Sequence, residues 1–295
     1  MPIRDILLAL LVVAIWGFNF VVIKLSVEAL PPILAAAFRF SFAAVPLIFF
    51  VKPPKTAWWM TAGFGLSFGF ALYSFLNLAL SAGMPAGLAS VVLQVQAFFT
   101  MLIAFFFLNE RPRRMQIIGG AIAFAGIGVI AIERLSGAAL GPFVLTLCAA
   151  LAWGFANVLS KKAGKVNPIA ITVWGSAFAA LPLFGLSAFM EGPGALIDAV
   201  TAPRWSTVGL IVFLAYPATL FGLAVWNWLL SRHPASIVAP FTLLVPITGL
   251  VSGWILLGER ITALEIAGGA LVVVGLGATV IKRRRPPINP ILPEA

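Results

Sequence analysis

Near the middle of otherwise apolar stretches, the chain places side chains that can hydrogen-bond but carry no charge at neutral pH: Trp16, Asn19, Tyr73, Asn77, Gln94, Trp153, Asn157, Trp226 and Thr242. Gln96, Tyr216 and Asn227 have the same character. An amide or indole N–H surrounded by hydrocarbon is costly unless it finds a partner, so each must face a neighbouring helix or a wet interior. The chemistry open to such a set is binding. Amides and indole N–H groups suit a zwitterion whose opposite charges nearly cancel. Gln94 and Gln96 are two positions apart, which on an α-helix puts them on different faces, so the expected lining residue is Gln94 alone. Trp16 and Trp153 lie mid-span, whereas a membrane tryptophan usually marks the interface. Prolines extend the set of acceptors. A helical proline frees the carbonyl four residues earlier, so Pro217 frees that of Phe213, Pro240 that of Ser236 and Pro246 that of Thr242. Pro85, Pro217, Pro240 and Pro246 are therefore the expected hinges.

The ionisable residues exclude more than they offer. Asp5, Glu28, Glu110, Glu133, Glu191, Asp198, Glu259, Glu265 and Glu294 all fall outside the middle of the apolar stretches. A midplane carboxylate is the usual device for relaying protons or pairing with a cationic drug, so its absence argues against a small cation extruder. His233 stands beside Pro234 in a turn and reads as a surface residue. Arg39 follows Pro32 by seven positions, which places it roughly 10 Å into its apolar run. From there it can snorkel to the interface, pair with Glu28 or touch a substrate. Lys24 and Lys161 read as helix-end anchors. "GLSFG" at Gly65–Gly69 meets the spacing of a serine-hydrolase elbow, but it sits inside an apolar helix with no general base near it in sequence, and tight helix packing explains it better. No cofactor or metal site is expected, and catalysis within the membrane is the least favoured reading.

These residues are carried by a chain of 295 residues that is 62% hydrophobic and only 9% charged, with a mean hydropathy of +1.09. A soluble domain is roughly 25% charged. The formal net charge of +10 lies mostly between apolar runs and does not form a nucleic-acid-binding face. Crossing a bilayer takes about 20 residues. Ten stretches approach that length: 4–27, 32–51, 57–80, 86–108, 115–132, 138–160, 168–189, 205–229, 235–257 and 262–281. The longest link holds "GALIDAV", which fits a short interfacial helix, and the proline-rich residues 286–295 read as a disordered tail. Basic residues set the orientation. With both termini cytoplasmic, fourteen of them, including Lys52, Lys55, Arg111, Lys161, Lys162 and Lys282 to Arg285, lie inside, against Lys24, Arg134, Arg204 and Arg260 outside. Contact with membrane lipid follows, and Lys282 to Arg285 could meet anionic headgroups.

The sequence repeats itself. "WGFNFVVIK" from Trp16 returns as "WGFANVLSK" from Trp153, an offset of 137 in numbering. The segment from Pro85 matches that from Pro234 without a gap at an offset of 149, sharing Glu110-Arg111 with Glu259-Arg260 and Gly119-Gly120 with Gly268-Gly269. Residues 1–134 and 135–285 are thus related halves. Five is odd, so the second half enters the membrane from the opposite face. The expected fold is an all-α membrane protein with ten transmembrane helices as two inverted five-helix repeats, an arrangement secondary transporters use to build a midplane site.

The segments "LLALLVVAIWGFNFVVIKLSVEALPP", "FRFSFAAVPLIFF", "GMPAGLASVVLQVQAFFTMLIAFFFLNER" and "GERITALEIAGGALVVVGLG" resemble EamA-type members of the drug/metabolite transporter superfamily, over about residues 4–281. The likeness is strongest to bacterial inner-membrane exporters of cysteine and O-acetylserine, in a group that includes aromatic-amino-acid exporters. The resemblance implies alternating access around a central cavity, a small-molecule substrate and a multi-pass inner-membrane location. It leaves other metabolites or lipophilic drugs open as alternative cargo.

Overall fold

Hydropathy leaves the chain little choice but helix, because a segment in hydrocarbon must satisfy its backbone internally. In the computed structural model, which describes residues 1–112, 114–135, 140–164, 166–233 and 238–280, the described residues contain helices and no strand. They are α1 (Ile3–Ala29), α2 (Pro32–Ala44), α3 (Trp58–Ser81), α4 (Ala86–Leu108), α5 (Arg114–Leu135), α6 (Leu140–Lys162), α7 (Pro168–Met190), α8 (Pro193–Thr201), α9 (205–232), α10 (239–257) and α11 (Ala263–Val280). Among the described residues, eight helices are long and apolar enough to cross a membrane, and two shorter apolar helices, Phe241–Leu257 and Ala263–Ala278, follow. The short α8 contains "GALID" and buries none of its residues. The basic cluster Lys282 to Arg285, the tail from 286, Ser236, Lys165 and Arg113 lie outside the described residues.

Local chemistry explains where the helices begin and end. Pro32, Pro168 and Pro193 stand at first helical positions, where a missing N–H costs nothing. The Asn167 side chain accepts from the Ile169 amide at 2.9 Å, capping α7. The Thr262 amide donates to the Glu265 carboxylate at 3.1 Å. The Glu265 amide donates to Thr262 Oγ1 at 3.2 Å, which completes the reciprocal box that opens α11. Two helices stop in a left-handed residue, Asn109 after α4 and Gly258 after α10, the usual way to satisfy the last carbonyls. Large apolar side chains such as Leu181, Phe189, Phe106 and Phe107 point outward, as lipid contact demands, while alanines at 35, 36, 37 and 79 allow close packing inside.

The helix contacts come in pairs that follow the sequence offsets. At Gly17 in α1, an added β-carbon would overlap Thr248 Oγ1 of α10 outright, and at Gly154 in α6 it would lie 3.0 Å from the Thr100 nitrogen in α4. Gly126 faces the Gly268 carbonyl and Gly275 faces the Gly119 carbonyl, each with no room for a side chain, so α5 and α11 meet along a glycine seam. Both α3 and α9 widen into a π-helical stretch, Gly65–Leu72 and Leu214–Phe221, at the same spacing as the Pro85 and Pro234 segments. The "GLSFG" motif is thus a helix-packing element: Gly65 abuts the Gly175 carbonyl and Gly69 abuts Ala179 of α7.

Two expectations about charged residues need correction. His233 is not a free surface residue: its Nε2 lies 2.6 Å from Asp5 Oδ2, and Asp5 is buried, so the pair ties the end of α9 to the start of α1. Arg39 neither snorkels nor meets Glu28. Glu28 lies 3.9 Å from Lys24 on the same helix, and the Arg39 side chain turns inward because its helix packs against α7, α3 and α9 rather than lipid.

Candidate functional site

Between the helices lies a cavity of about 490 Å³, a volume typical of small-molecule sites. Helical spacing explains much of its lining. Trp16 and Asn19 stand one turn apart on α1, and Trp153 and Asn157 one turn apart on α6, so each pair shares a face. Tyr73 comes from α3, Gln94 from α4, Trp226 from α9 and Thr242 from α10. Asn77 does not line it. That residue is buried and donates from Nδ2 to the Pro32 carbonyl at 2.9 Å, holding α3 to α2.

Gln96 joins the lining, contrary to the expectation from α-helical spacing. The chain tightens to 3₁₀ geometry at Leu93–Val95. Three residues per turn bring positions two apart closer in azimuth than 3.6 do. Gln96 Oε1 accepts from Asn157 Nδ2 at 2.7 Å, and Thr100 Oγ1 accepts from the same nitrogen at 3.0 Å. Asn157 is therefore fixed to α4 and presents a pre-set polar surface. Asn157→Ala is expected to cost about 1 kcal/mol of stability from the lost hydrogen bonds, read as a lower Tm in detergent; an unchanged Tm would mean the bonds do not hold the helices together.

Aromatic rings form two walls. Trp16 and Trp226 pack at 5.3 Å between centroids. Phe68 stands 5.7 Å from Tyr73 and 6.1 Å from Trp153. Trp16 Nε1 donates to the Ala218 carbonyl at 3.0 Å. Proline chemistry alone points to the Phe213 carbonyl released by Pro217, yet the carbonyl engaged is that of Ala218, inside the π-helical stretch that contains the proline. Such wide turns shift the hydrogen-bond ladder by one residue and often mark functional sites. Pro240 is the second residue of the 3₁₀ stretch at the head of α10, Pro246 lies in its first α-helical turn, and Pro85 precedes α4 rather than interrupting it.

Sequence reasoning leaves Arg39 undecided and misses Thr219. Arg39 is 3% exposed and is the one charged residue among the described residues that line the cavity. Thr219 Oγ1 accepts from its Nε at 3.2 Å and its Nη2 at 2.9 Å, and donates its own proton to the Leu214 carbonyl at 2.8 Å. The guanidinium carbon lies 4.0 Å from the centre of the Tyr73 ring, a cation–π contact. Pro217, two residues before Thr219, is the signal that this part of α9 is irregular.

The cavity extends to Gly164, Val166 and Pro168 in the α6–α7 connection. At the opposite end of the bundle, beyond the cavity lining, carboxylates cap helix starts. Glu259 accepts from the Ala86 and Gly87 amides at 2.5 and 2.9 Å. Glu191 accepts from those of Ile33 and Leu34 at 2.6 and 3.0 Å. A carboxylate there meets unpaired N–H groups and the positive end of the helix dipole. Lys24 adds a bond to the Leu80 carbonyl at 2.7 Å.

A bundle of apolar helices around a chamber lined with polar groups defines a multi-pass membrane protein with an internal small-molecule cavity. The chain belongs to the EamA-like transporter family, whose profile matches residues 3–132 and 141–281. It is 41% identical over 279 residues to a probable amino-acid metabolite efflux pump of Salmonella typhimurium, covering 92% of this chain and 93% of the relative. It is 40% identical over 288 residues to a protein of the same description from Escherichia coli, covering 95% and 96%. A solved crystal structure shares the fold, with a TM-score of 0.61 at 18% identity, covering 93% of this chain and 96% of that one.

Proposed function

We propose that this chain exports amino acids or related small metabolites across the bacterial inner membrane by alternating access. In this reading ten spans form two inverted five-helix repeats, 1–134 and 135–285, with both termini cytoplasmic. The matched crossings of α1 with α10 and α4 with α6, and of α5 with α11, support that arrangement, since a pseudo-two-fold axis sends each contact to its partner. The observation that carries the function is the cavity itself: amides, indoles and one guanidinium drawn from both halves, with no carboxylate among its described lining. The names of the two bacterial relatives favour amino-acid metabolites as cargo and efflux as the direction. With the basic loops inside, the mouth at Gly164, Val166 and Pro168 faces the cytoplasm, as an exporter awaiting its substrate requires.

Counterflow of radiolabelled amino acids into proteoliposomes, with and without a pH gradient, tests the reading. Exchange without a gradient is the expected result, because no acid among the described lining is placed to carry a proton. Gradient-driven accumulation would require a proton carrier and overturn that part. In the same assay Trp153→Ala and Asn157→Ala are expected to lower flux at least about tenfold, the effect of removing a well-placed binding contact. Full flux in both would remove them from the site. If lipophilic drugs rather than amino acids were the cargo, a drug at about 100 times its dissociation constant would stabilise the purified protein by about 2.7 kcal/mol, and amino acids would not.

A further inference from the structure

Arg39 stands out because no described residue brings an opposite charge to it. No carboxylate of the described residues pairs with it, its two hydrogen bonds both go to one neutral hydroxyl, and its Nη1 is buried with no hydrogen-bond partner. Burying a charge without an opposite one costs several kcal/mol, far more than a helix tie needs, since a neutral residue could bond Thr219 equally well. The matched position in the second half, Ser176, is uncharged, so the arginine is no product of duplicated packing. On the facing helix α1, Asn19 presents the opposite deficit: its Oδ1 is a buried acceptor without a donor. Both residues line the same cavity, and a chain of contacts links their helices. Trp16, one turn before Asn19, bonds the carbonyl of Ala218, and the next residue, Thr219, holds Arg39.

We propose that Arg39 is the anchor for the substrate's carboxylate and that Asn19 Oδ1 receives its ammonium, making the cavity selective for α-amino acids over amines and neutral solutes. This rests on the exporter reading above and sharpens it to a chemical class. A carboxylate entering from the mouth replaces Thr219 as acceptor for Nη2 and supplies the acceptor that Nη1 lacks, giving the two-pronged geometry a guanidinium favours. The unneutralised charge disfavours cations before any contact forms. The Tyr73 ring covers the guanidinium at 4.0 Å and the group is nearly fully buried, so its field reaches into the cavity with little screening.

The test uses the amino acid that gives the strongest counterflow and its primary carboxamide as unlabelled competitors in proteoliposomes. The amide keeps the side chain and ammonium and loses only the carboxylate. With wild-type protein the acid is expected to compete at about 10- to 100-fold lower concentration than the amide, the usual effect of removing one partner of a buried charge pair. In Arg39→Gln the ratio should fall to about one, while Arg39→Lys, which keeps the charge but not the fork, should retain part of it. Asn19→Leu should weaken acid and amide alike, because both carry the ammonium. Equal potency of acid and amide on wild-type protein would overturn the proposal without recourse to any variant, and so would an unchanged ratio in Arg39→Gln. Absence of counterflow for every amino acid would instead sink the exporter reading for amino acids, and this inference with it.

Discussion

Gly17→Val is expected to destabilise the protein by about 3 kcal/mol, the upper end for overpacking a tight interior. The first added carbon would overlap Thr248 Oγ1 and sit 2.6 Å from its Cβ and 2.8 Å from the Gly249 nitrogen, so backbone as well as side chain stands in the way. Thr248 cannot turn aside without losing the hydrogen bond its single hydroxyl proton donates among the carbonyls of Val13, Leu244 and Val245, at 3.2, 3.1 and 3.1 Å. Helices α1 and α10 would have to part, and Trp16, the preceding residue, would leave the cavity wall. The matched glycine provides an internal comparison. At Gly154 the nearest atoms lie at 3.0 Å. Gly154→Ala therefore needs only slight shifts and is expected to cost about 1 kcal/mol. Thermal unfolding in detergent, with size-exclusion profiles, reads both. Equal tolerance of the two substitutions would show that the α1–α10 crossing is looser than described.

Glu259→Ala is expected to cost about 2 kcal/mol, because two helix-start amides lose a charged acceptor. The contact joins the end of α10 to the start of α4, at the end of the cavity away from its mouth. Its loss should therefore open that end. A change of about 2 kcal/mol shifts any equilibrium that keeps it shut by about 30-fold. Met84, only 1% exposed, lies beside the contact. With Cys148, the single cysteine of the sequence, replaced by serine, Met84→Cys should react slowly with an impermeant thiol reagent in the otherwise native protein and at least about tenfold faster once Glu259→Ala is added. The Glu259→Gln protein should fall between, since an amide keeps one acceptor but no charge. Unchanged labelling in both would mean that Glu191 and Lys24 close this end without help.

Much of the cavity lining is legible in the sequence. Trp16, Asn19, Trp153 and Asn157 announce themselves because a hydrogen-bonding group in hydrocarbon must have company, and one turn of helix puts each pair on one face. Asn77 obeys the same rule with a different partner, a carbonyl on α2, and no pattern in the sequence separates the two fates. Gln96 escapes α-helical spacing because the chain is 3₁₀ just before it. Arg39 reads, by sequence, as a residue able to reach water, and a depth of about 10 Å is compatible with that. What decides its orientation is that α7, α3 and α9 surround α2.

By itself the sequence determined the material and the plan: helices, since hydrocarbon allows no other open backbone; roughly where each begins and stops, since prolines and caps act locally; and motifs that recur at two constant offsets. The tertiary structure decided which carbonyl a tryptophan finds, which carboxylate caps which helix, and where an arginine is left with no counter-charge among the described residues. Those outcomes join partners far apart in the chain, Arg39 with Thr219, Trp16 with Ala218 and Glu259 with Gly87. Local patterns limit what each segment can be, but only packing of the whole chain sets which side chains meet.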